Sequence, residues 1–426
     1  MTADTIYALS SGSPPAAIAV VRISGPAADR ALLSLTGRLP EPRTASLAWL
    51  REDDRLLDRA LVLRFPGPAS ATGEDLVELH LHGGRAVVGA VTGALGRIEG
   101  LRPAEPGEFT RRSFESGRID LAEAEGLADL LQAETESQRE AALSLASGSL
   151  SRRVEAWQSR LLALSAQMEA VLDFSDEGEV GEGMPAQWDE AIAELAREIR
   201  LALGAAPVER LRDGVRVVIA GPPNAGKSSL LNVLIGRDAA ITSAIPGTTR
   251  DLVEAPTSIA GTPFLLIDTA GLRDSVDEIE AIGIERARTS LAKADIILWL
   301  GSPEDAPSSG AVILVRPKAD LAEPGRDGVG MSVSARTGEG VDRLVTALIA
   351  KAGELLPKPS EVSLNARHRL ALREALEPLE SAGDCEDPLI ASELLRRSRI
   401  ALDRVTGRAG VEEMLDALFG RFCIGK

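Results

Sequence analysis

Three separated segments carry residue types that handle a nucleoside triphosphate. Gly221-Pro-Pro-Asn224-Ala225-Gly226-Lys227-Ser228 follows the apolar run Val215–Ala220 and precedes the helical run Ser229–Ile235, so it matches GxxxxGK[ST] in the required strand, loop and helix context. The glycines let backbone N–H groups turn around a β-phosphate, and the helix N-terminus adds positive potential. Lys227 reaches the β/γ oxygens and Ser228 supplies a Mg²⁺ ligand. Asp268-Thr269-Ala270-Gly271 ends a later β-like run; Asp268 suits the magnesium shell and the Gly271 N–H suits a γ-phosphate. Between them, Gly247-Thr248-Thr249-Arg-Asp251 offers Thr249 to complete the magnesium coordination and order a switch loop. The three blocks together predict a nucleotide hydrolase.

The base is read from a fourth place. GTPases recognise guanine with Asn-Lys-x-Asp after a strand, and here Ala311–Arg316 is followed by Pro317-Lys318-Ala319-Asp320. Asp320 can accept from the guanine N1–H and N2–H₂ donors, Lys318 can cover the base, and Ser334-Ala335 sits where a backbone N–H meets the base oxygen. Adenine offers no such donor pair, so the segment predicts GTP over ATP. Pro317 cannot make the contacts of an Asn amide, which predicts weakened affinity. Leu272 stands where small signalling GTPases place a water-orienting Gln, so a carboxylate of Asp274-Ser-Val-Asp-Glu-Ile-Glu280 is a candidate to orient the water, against a merely solvated acidic loop.

Positioning these residues takes an α/β layer with helices on either side in sequence. Short apolar runs at Val215–Ala220, Pro263–Asp268, Asp295–Leu300 and Ala311–Arg316 alternate with helical segments between Val215 and about Ala352, the pattern of a doubly wound sheet. Helical spacing precedes it, from Leu121 to about Phe174 and on to Gly204, and returns after Pro357 and Pro359 until Phe422. An α/β domain inserted into a helical one explains this; two unrelated helical domains are the alternative. The first 120 residues, with β-like runs Ile18–Ile23 and Leu76–Leu81 between Gly and Pro clusters, read as a small α+β domain. The expected boundaries are 1–118 for the α+β domain, 119–210 with 353–426 for the helical domain, and 215–352 for the inserted nucleotide domain.

Length and charge bound the alternatives. The chain has 426 residues, enough for about three domains at roughly 150 each. With 47 Lys and Arg against 64 Asp and Glu it carries a formal charge of −17, which opposes unaided nucleic-acid binding. Mean hydropathy is +0.03 and no apolar run approaches a membrane span. Two cysteines, Cys385 and Cys423, point to reduced thiols and a cytoplasmic protein. Cys385 lies among acids and reads as incidental. Cys423 lies near Arg421 and Lys426, which would favour a thiolate, so a nucleophile and a packing thiol both remain open. Glu78, His80 and His82 alternate on one strand face, as three metal ligands or as polar residues facing a pocket. The arginines 396, 397, 399 and 404 suit nucleic-acid phosphates or a solvated helix face.

The blocks Gly221–Asn232, Gly247–Asp251 and Asp268–Leu272, flanked by helices and ended by Cys423-Ile-Gly-Lys426, resemble the MnmE (TrmE) family of tRNA-modification GTPases. The likeness extends to Val21-Arg-Ile-Ser-Gly25, Gly73-Glu-Asp75 with His82-Gly-Gly84, Pro106-Gly-Glu-Phe109 and Leu172-Asp-Phe174. The resemblance implies an FAD protein, MnmG, as partner in a heterotetramer. Together they install a carboxymethylaminomethyl or aminomethyl group on carbon 5 of the wobble uridine of certain tRNAs. The one-carbon unit comes from a tetrahydrofolate in its 5-formyl or methylene form, for which the matching positions are Arg22, Glu78, Arg118 and Lys426, with the Cys423 tail beside it. It also implies a homodimer whose nucleotide domains meet around potassium. Asn224 and the loop Ser243-Ala244-Ile245-Pro246-Gly247-Thr248 match the ion's surroundings, with Asn224, Ser243, Ile245 and Thr248 as ligands. Glu280 matches the water-orienting carboxylate. Ser229 and Ala270 complete the matching GTP-binding set. Rival readings are an Era-like or Der-like ribosome-assembly switch, which would need a basic RNA-binding module, and a degenerate G domain kept as a scaffold.

Overall fold

The computed structural model describes residues 4–173, 187–236, 254–269, 289–308, 310–321, 329–358, 362–408, 412–420 and 422–426. The chain divides into two compact units, Met1–Ala128 with Asp403–Lys426, and Asp129–Leu402.

The first unit is built on a six-stranded sheet. Its strands are β1 (Thr5–Leu9), β2 (Ile18–Ser24), β3 (Ser46–Glu52), β4 (Arg55–Phe65), β5 (Leu76–His82) and β6 (Leu101–Pro103), in the order β3-β4-β5-β2-β1-β6. β1 pairs antiparallel with β2 and parallel with β6. Alternation sets the two faces. Ala19, Val21, Ile23, Val77, Leu79 and Leu81 point into a core completed by Leu32 and Leu35 of helix Ala28–Thr36 and by Val91 and Leu95 of helix Arg85–Leu95. The alternate residues put Arg22 directly opposite Glu78 in the register. The C-terminal segment belongs to this unit: Phe419 and Phe422 pack with Leu121, Ala124 and Leu415. Gly107, at φ 69°, allows the close approach, since a Cβ there would lie 2.3 Å from the Phe419 carbonyl oxygen.

The α/β half of the second unit has strands β7 (Val215–Ala220), β8 (Glu254–Ile259), β9 (Thr262–Asp268), β10 (Ile296–Trp299), β11 (Ala311–Arg316) and β12 (Met331–Ser332), ordered β12-β11-β10-β7-β9-β8. All pairs are parallel except β8 with β9. β7 is central and covered on both faces, which is why it reads as the near-continuous apolar run Val215, Val217, Val218, Ile219 and not as an alternation. Helices Lys227–Ile235 and Val341–Leu355 cover one face through Leu230, Leu231, Leu234, Val341, Leu344 and Leu348. The predicted strand at Asp295 begins one residue later because the Asp295 carboxylate accepts from the Arg216 backbone N–H (3.0 Å) and Arg210 Nε (2.8 Å).

Helices lie before and after this layer in sequence. The periodic stretch from Leu121 forms three helices, Leu121–Gln132, Glu136–Ala146 and Ser149–Asp173. Thr135 starts the second with a capping box on Gln138, and Gly148, at φ 79°, breaks it from the third. Helix Trp188–Gly204 packs on helix Ala366–Gly383, and the Trp188 indole donates to the Ala382 carbonyl at 3.0 Å. Where the chain leaves and re-enters this helical layer, Arg369 donates to the carbonyls of Leu203 (2.8 Å) and Ala205 (2.9 Å). The fold is thus an α+β N-terminal domain, an all-α helical domain and an inserted α/β P-loop domain. Among the described residues, no helix is long and apolar enough to cross a membrane.

Candidate functional site

The phosphate loop joins the C-terminal end of β7 to helix Lys227–Ile235, where backbone N–H groups without helical partners point out of the helix end. Gly221, at φ 148°, passes so close to Leu300 that a Cβ would sit 3.0 Å from its side chain, and Asn224 and Gly226 also take positive φ, 61° and 96°. These bends make the loop concave. Lys227, only 7% exposed, folds over it and donates to the carbonyls of Gly221 (3.1 Å) and Pro222 (2.9 Å). The ammonium is therefore held above the cavity by carbonyls it can exchange for phosphate oxygens.

β9 runs beside β7 with Asp268 opposite Ile219, which carries Asp268 to the loop. Ser228 Oγ donates to Asp268 Oδ2 at 2.5 Å, and Thr269 Oγ1 anchors the end of β9 on the Ile219 carbonyl at 2.9 Å. A hydroxyl and a carboxylate, hard oxygen donors side by side at a phosphate loop, fit one side of a magnesium shell.

A cavity of about 450 Å³ opens beyond the loop, lined by Ala225, Gly226, Ser229, Pro317, Lys318 and Asp320, among others. Ser334 Oγ donates to Asp320 Oδ1 at 2.6 Å, and Arg336 Nε lies 3.2 Å from Asp320 Oδ2. The Ser334 hydroxyl, helped by Arg336, holds the Asp320 carboxyl below its ordinary value, so it is an acceptor at neutral pH. Lys318, at φ 59°, donates from Nζ to the Asn224 carbonyl at 2.9 Å. The structure thus brings Asn224, Ala225, Gly226, Lys227, Ser228, Ser229, Asp268, Thr269, Lys318, Asp320, Ser334 and Ala335 to one end of the sheet. Ser243, Ala244, Ile245, Pro246, Gly247, Thr248, Thr249, Ala270, Gly271 and Glu280 lie outside the described residues. Arg336 was not singled out from the sequence; its place directly after Ser334-Ala335 was the available signal.

The first unit holds the second set. Arg22 reaches Glu78 Oε1 through Nε (3.1 Å) and Nη2 (2.8 Å), and its guanidinium lies 5.8 Å from the Phe109 ring centroid. His80 Nε2 is 3.4 Å from Glu78 Oε2. His82 turns away to Asp58, its Nδ1 2.7 Å from Oδ1, so the alternating trio does not converge; among the described residues no group of three acidic, His or Cys side chains is placed for a metal. The terminal residues lie along β1. Ile424 bridges Pro106, the Lys426 N–H donates to the Cys423 carbonyl at 3.2 Å, and Gly425, at φ 97°, backs onto Leu9. β1 neighbours β2, so the tail and Arg22 share a region of the unit. Cys423 is exposed. Arg118 is exposed beside the turn at Gly73.

Sequence reasoning missed a charged network elsewhere in this unit. Arg112, with its side chain 3% exposed, binds Asp4 (3.0 Å), Glu74 (3.1 Å) and Glu108 (3.0 Å), and Arg102 shares Asp4 and Glu108. The only hint was that Glu74 and Glu108 sit in the segments Gly73-Glu-Asp75 and Pro106-Gly-Glu-Phe109.

Residues 5–118 match the family model described as the GTP-binding protein TrmE N-terminus, and residues 121–423 match that of the MnmE helical domain. The tRNA modification GTPase MnmE of Rhizorhabdus wittichii is 57% identical over 428 residues, covering 99% of this chain and 97% of that protein. Those of Novosphingobium aromaticivorans and Erythrobacter litoralis are 54% and 55% identical, each covering 99% of this chain and 100% of the relative. Matched by both family models and by relatives 54–57% identical over nearly the whole chain, the chain belongs to the MnmE (TrmE) family of tRNA modification GTPases.

Proposed function

We propose that this tRNA modification GTPase hydrolyses GTP at the Lys227, Ser228, Asp268 and Asp320 site, with potassium stimulation. Hydrolysis then serves the installation of a carboxymethylaminomethyl or aminomethyl group on carbon 5 of a wobble uridine. The observation that carries the nucleotide assignment is the convergence of Lys227, the Ser228–Asp268 pair and Asp320 at one end of the same sheet, with Asp320 in the adjoining cavity. Asp320 accepts from the guanine N1–H and N2–H₂ edge, and Lys227 exchanges the Gly221 and Pro222 carbonyls for phosphate oxygens. Ser228, Asp268 and Thr249 would hold magnesium. Asn224 and the 243–248 loop would hold potassium, whose charge stabilises the phosphoryl transition state when bound. Glu280 is assigned to orient the water.

The family's modification chemistry needs a one-carbon donor and a redox partner. The Arg22–Glu78 pair beside the Phe109 ring, with Lys426 on the adjacent tail, supports a tetrahydrofolate site. A guanidinium and an ammonium suit a glutamate carboxylate, and an aromatic ring suits a flat heterocycle. FAD would reside on an MnmG-like partner in a heterotetramer, which would also carry most of the tRNA affinity, in keeping with the charge of −17. A homodimer is supported by the open sheet face of the first unit. There Leu47 and Trp49 on β3 are each about half exposed, and Leu61 on β4 pairs with Leu47. The domains assigned to these tasks are 1–118 for folate, 215–352 for GTP, and 119–210 with 353–426 as the helical connector, all in the cytoplasm.

GTP turnover in potassium and in sodium at equal ionic strength, with ATP as control, tests the nucleotide assignment; equal slow rates in both salts would overturn the potassium role. Tetrahydrofolate binding, and analysis of wobble uridine in tRNA from cells lacking the protein, test the rest. Unchanged tRNA would overturn the modification reading.

A further inference from the structure

We propose that Arg336 is a built-in surrogate for the guanine edge, pairing with Asp320 in competition with the base and yielding it when the nucleotide binds. The inference rests on the reading of Asp320 as the guanine acceptor. Guanine's N1–C2–N2 unit is chemically a guanidine: a planar group presenting adjacent N–H donors to one carboxylate. The Arg336 side chain ends in the same group, and both it and Asp320 line the cavity in which the base would lie. Asp320 Oδ1 already receives the Ser334 hydroxyl at 2.6 Å, while Oδ2 faces Arg336 Nε at 3.2 Å. A guanine edge, with two adjacent donors, draws on both carboxylate oxygens, so base and guanidinium compete for Oδ2.

The arrangement is built to yield. The Arg336 side chain is 80% exposed against 12% for Asp320, so the carboxylate stays in place and the arginine can swing into solvent. Exposed pairs of this kind are weak and screened by salt. The result is competition that lowers apparent affinity by the fraction of pockets already open. Pro317, in the pocket wall, brings no side-chain amide to the base, so Asp320 carries a larger share of base recognition and its occupancy matters more.

The test uses the full chain, freed of nucleotide, and calorimetric binding of GDP and IDP, whose hypoxanthine lacks the N2–H₂ donors. The parent is expected to prefer GDP, and Asp320→Ala to remove that preference; if the preference persists, the guanine assignment itself fails, whatever Arg336 does. With that assignment standing, Arg336→Gln is expected to tighten GDP binding roughly two- to fivefold at low KCl, the scale of one exposed ion pair. The gain should shrink at high KCl, be smaller for Arg336→Lys, and vanish in the Asp320→Ala background. Unchanged or weaker GDP binding by Arg336→Gln, or a gain that survives Asp320→Ala, would overturn the inference.

Discussion

Lys318 Nζ donates to the backbone carbonyl of Asn224 at 2.9 Å, joining the loop assigned to the base to the loop assigned to the phosphates across 94 residues of sequence. The bond crosses from the end of β11 to the end of β7, with β10 between them. Since Asn224 also stands at the proposed potassium site, one ammonium braces both ends of the nucleotide pocket. Lys318→Met should weaken GDP and GTP binding roughly tenfold, the scale of one charge-assisted hydrogen bond. Calorimetry in potassium reads this directly; an unchanged affinity would mean that the two loops act independently.

Ser228 and Asp268 form the hard-oxygen pair at the phosphate loop. Ser228→Ala should lower GTP hydrolysis by about a hundredfold or more while GDP still binds, because the magnesium-held charge stabilisation acts mainly in the transition state. Phosphate release across a magnesium titration checks it.

Arg112 is buried among three carboxylates in the first unit. Removing the cation leaves Asp4 and Glu108 to Arg102 alone and takes the guanidinium from Glu74, so Arg112→Met should destabilise this unit by about 3 kcal/mol, the lower end for a broken buried ion pair. Urea unfolding followed by a probe within residues 4–128 measures the loss, and a change under about 1 kcal/mol would show that the carboxylates find other partners.

The same network sets an acid limb of stability. Burial pushes Glu108 up, but the Arg102 hydrogen bond, the Glu105 N–H and Arg112 outweigh it and hold its carboxyl below the usual 4.5; Asp4, likewise opposed by burial and held by Arg102 and Arg112, lies below 3.8. Lowered folded values mean that the unfolded chain binds protons first. The contribution is therefore present above the ordinary values and is lost as pH falls through the folded ones. Stability should stay flat from neutral pH to about 5 and fall below about 4. Arg102→Gln should flatten that acid limb, as unfolding midpoints across the range would reveal.

Gly425 takes φ 97°, and a Cβ there would meet the Leu9 carbonyl oxygen at 2.2 Å. Gly425→Val should lift the terminal residues off β1 and weaken tetrahydrofolate binding with GTP turnover unchanged. Retained folate affinity would remove Lys426 from the proposed site.

Legibility tracked how local each feature's cause was. The phosphate loop was readable because its eight residues specify their own backbone path between an apolar strand and a helix. Asp268 was readable because it ends an apolar run, and Asp320 because it follows one by four residues in a recognisable spacing. β3 and β4 were not recognised: Trp49, Leu56 and Leu61 are exposed on an open face, so their pattern lacks a clean inside and outside. The ring around Arg112 was invisible, since Asp4 and Glu74 lie 108 and 38 residues away and nothing local demands them.

The sequence by itself determined the nucleotide-hydrolase reading, the succession of α+β, helical and α/β regions, and the family, because motif spacing and apolar periodicity act over a few neighbouring residues. Only the tertiary structure decided that Arg336 faces Asp320, that Lys318 holds Asn224, that His82 turns to Asp58, and that Arg112 gathers three carboxylates. Those choices depend on strand register and on long side chains meeting across the fold, where a hydrogen bond requires placement within about 3 Å that no linear spacing encodes.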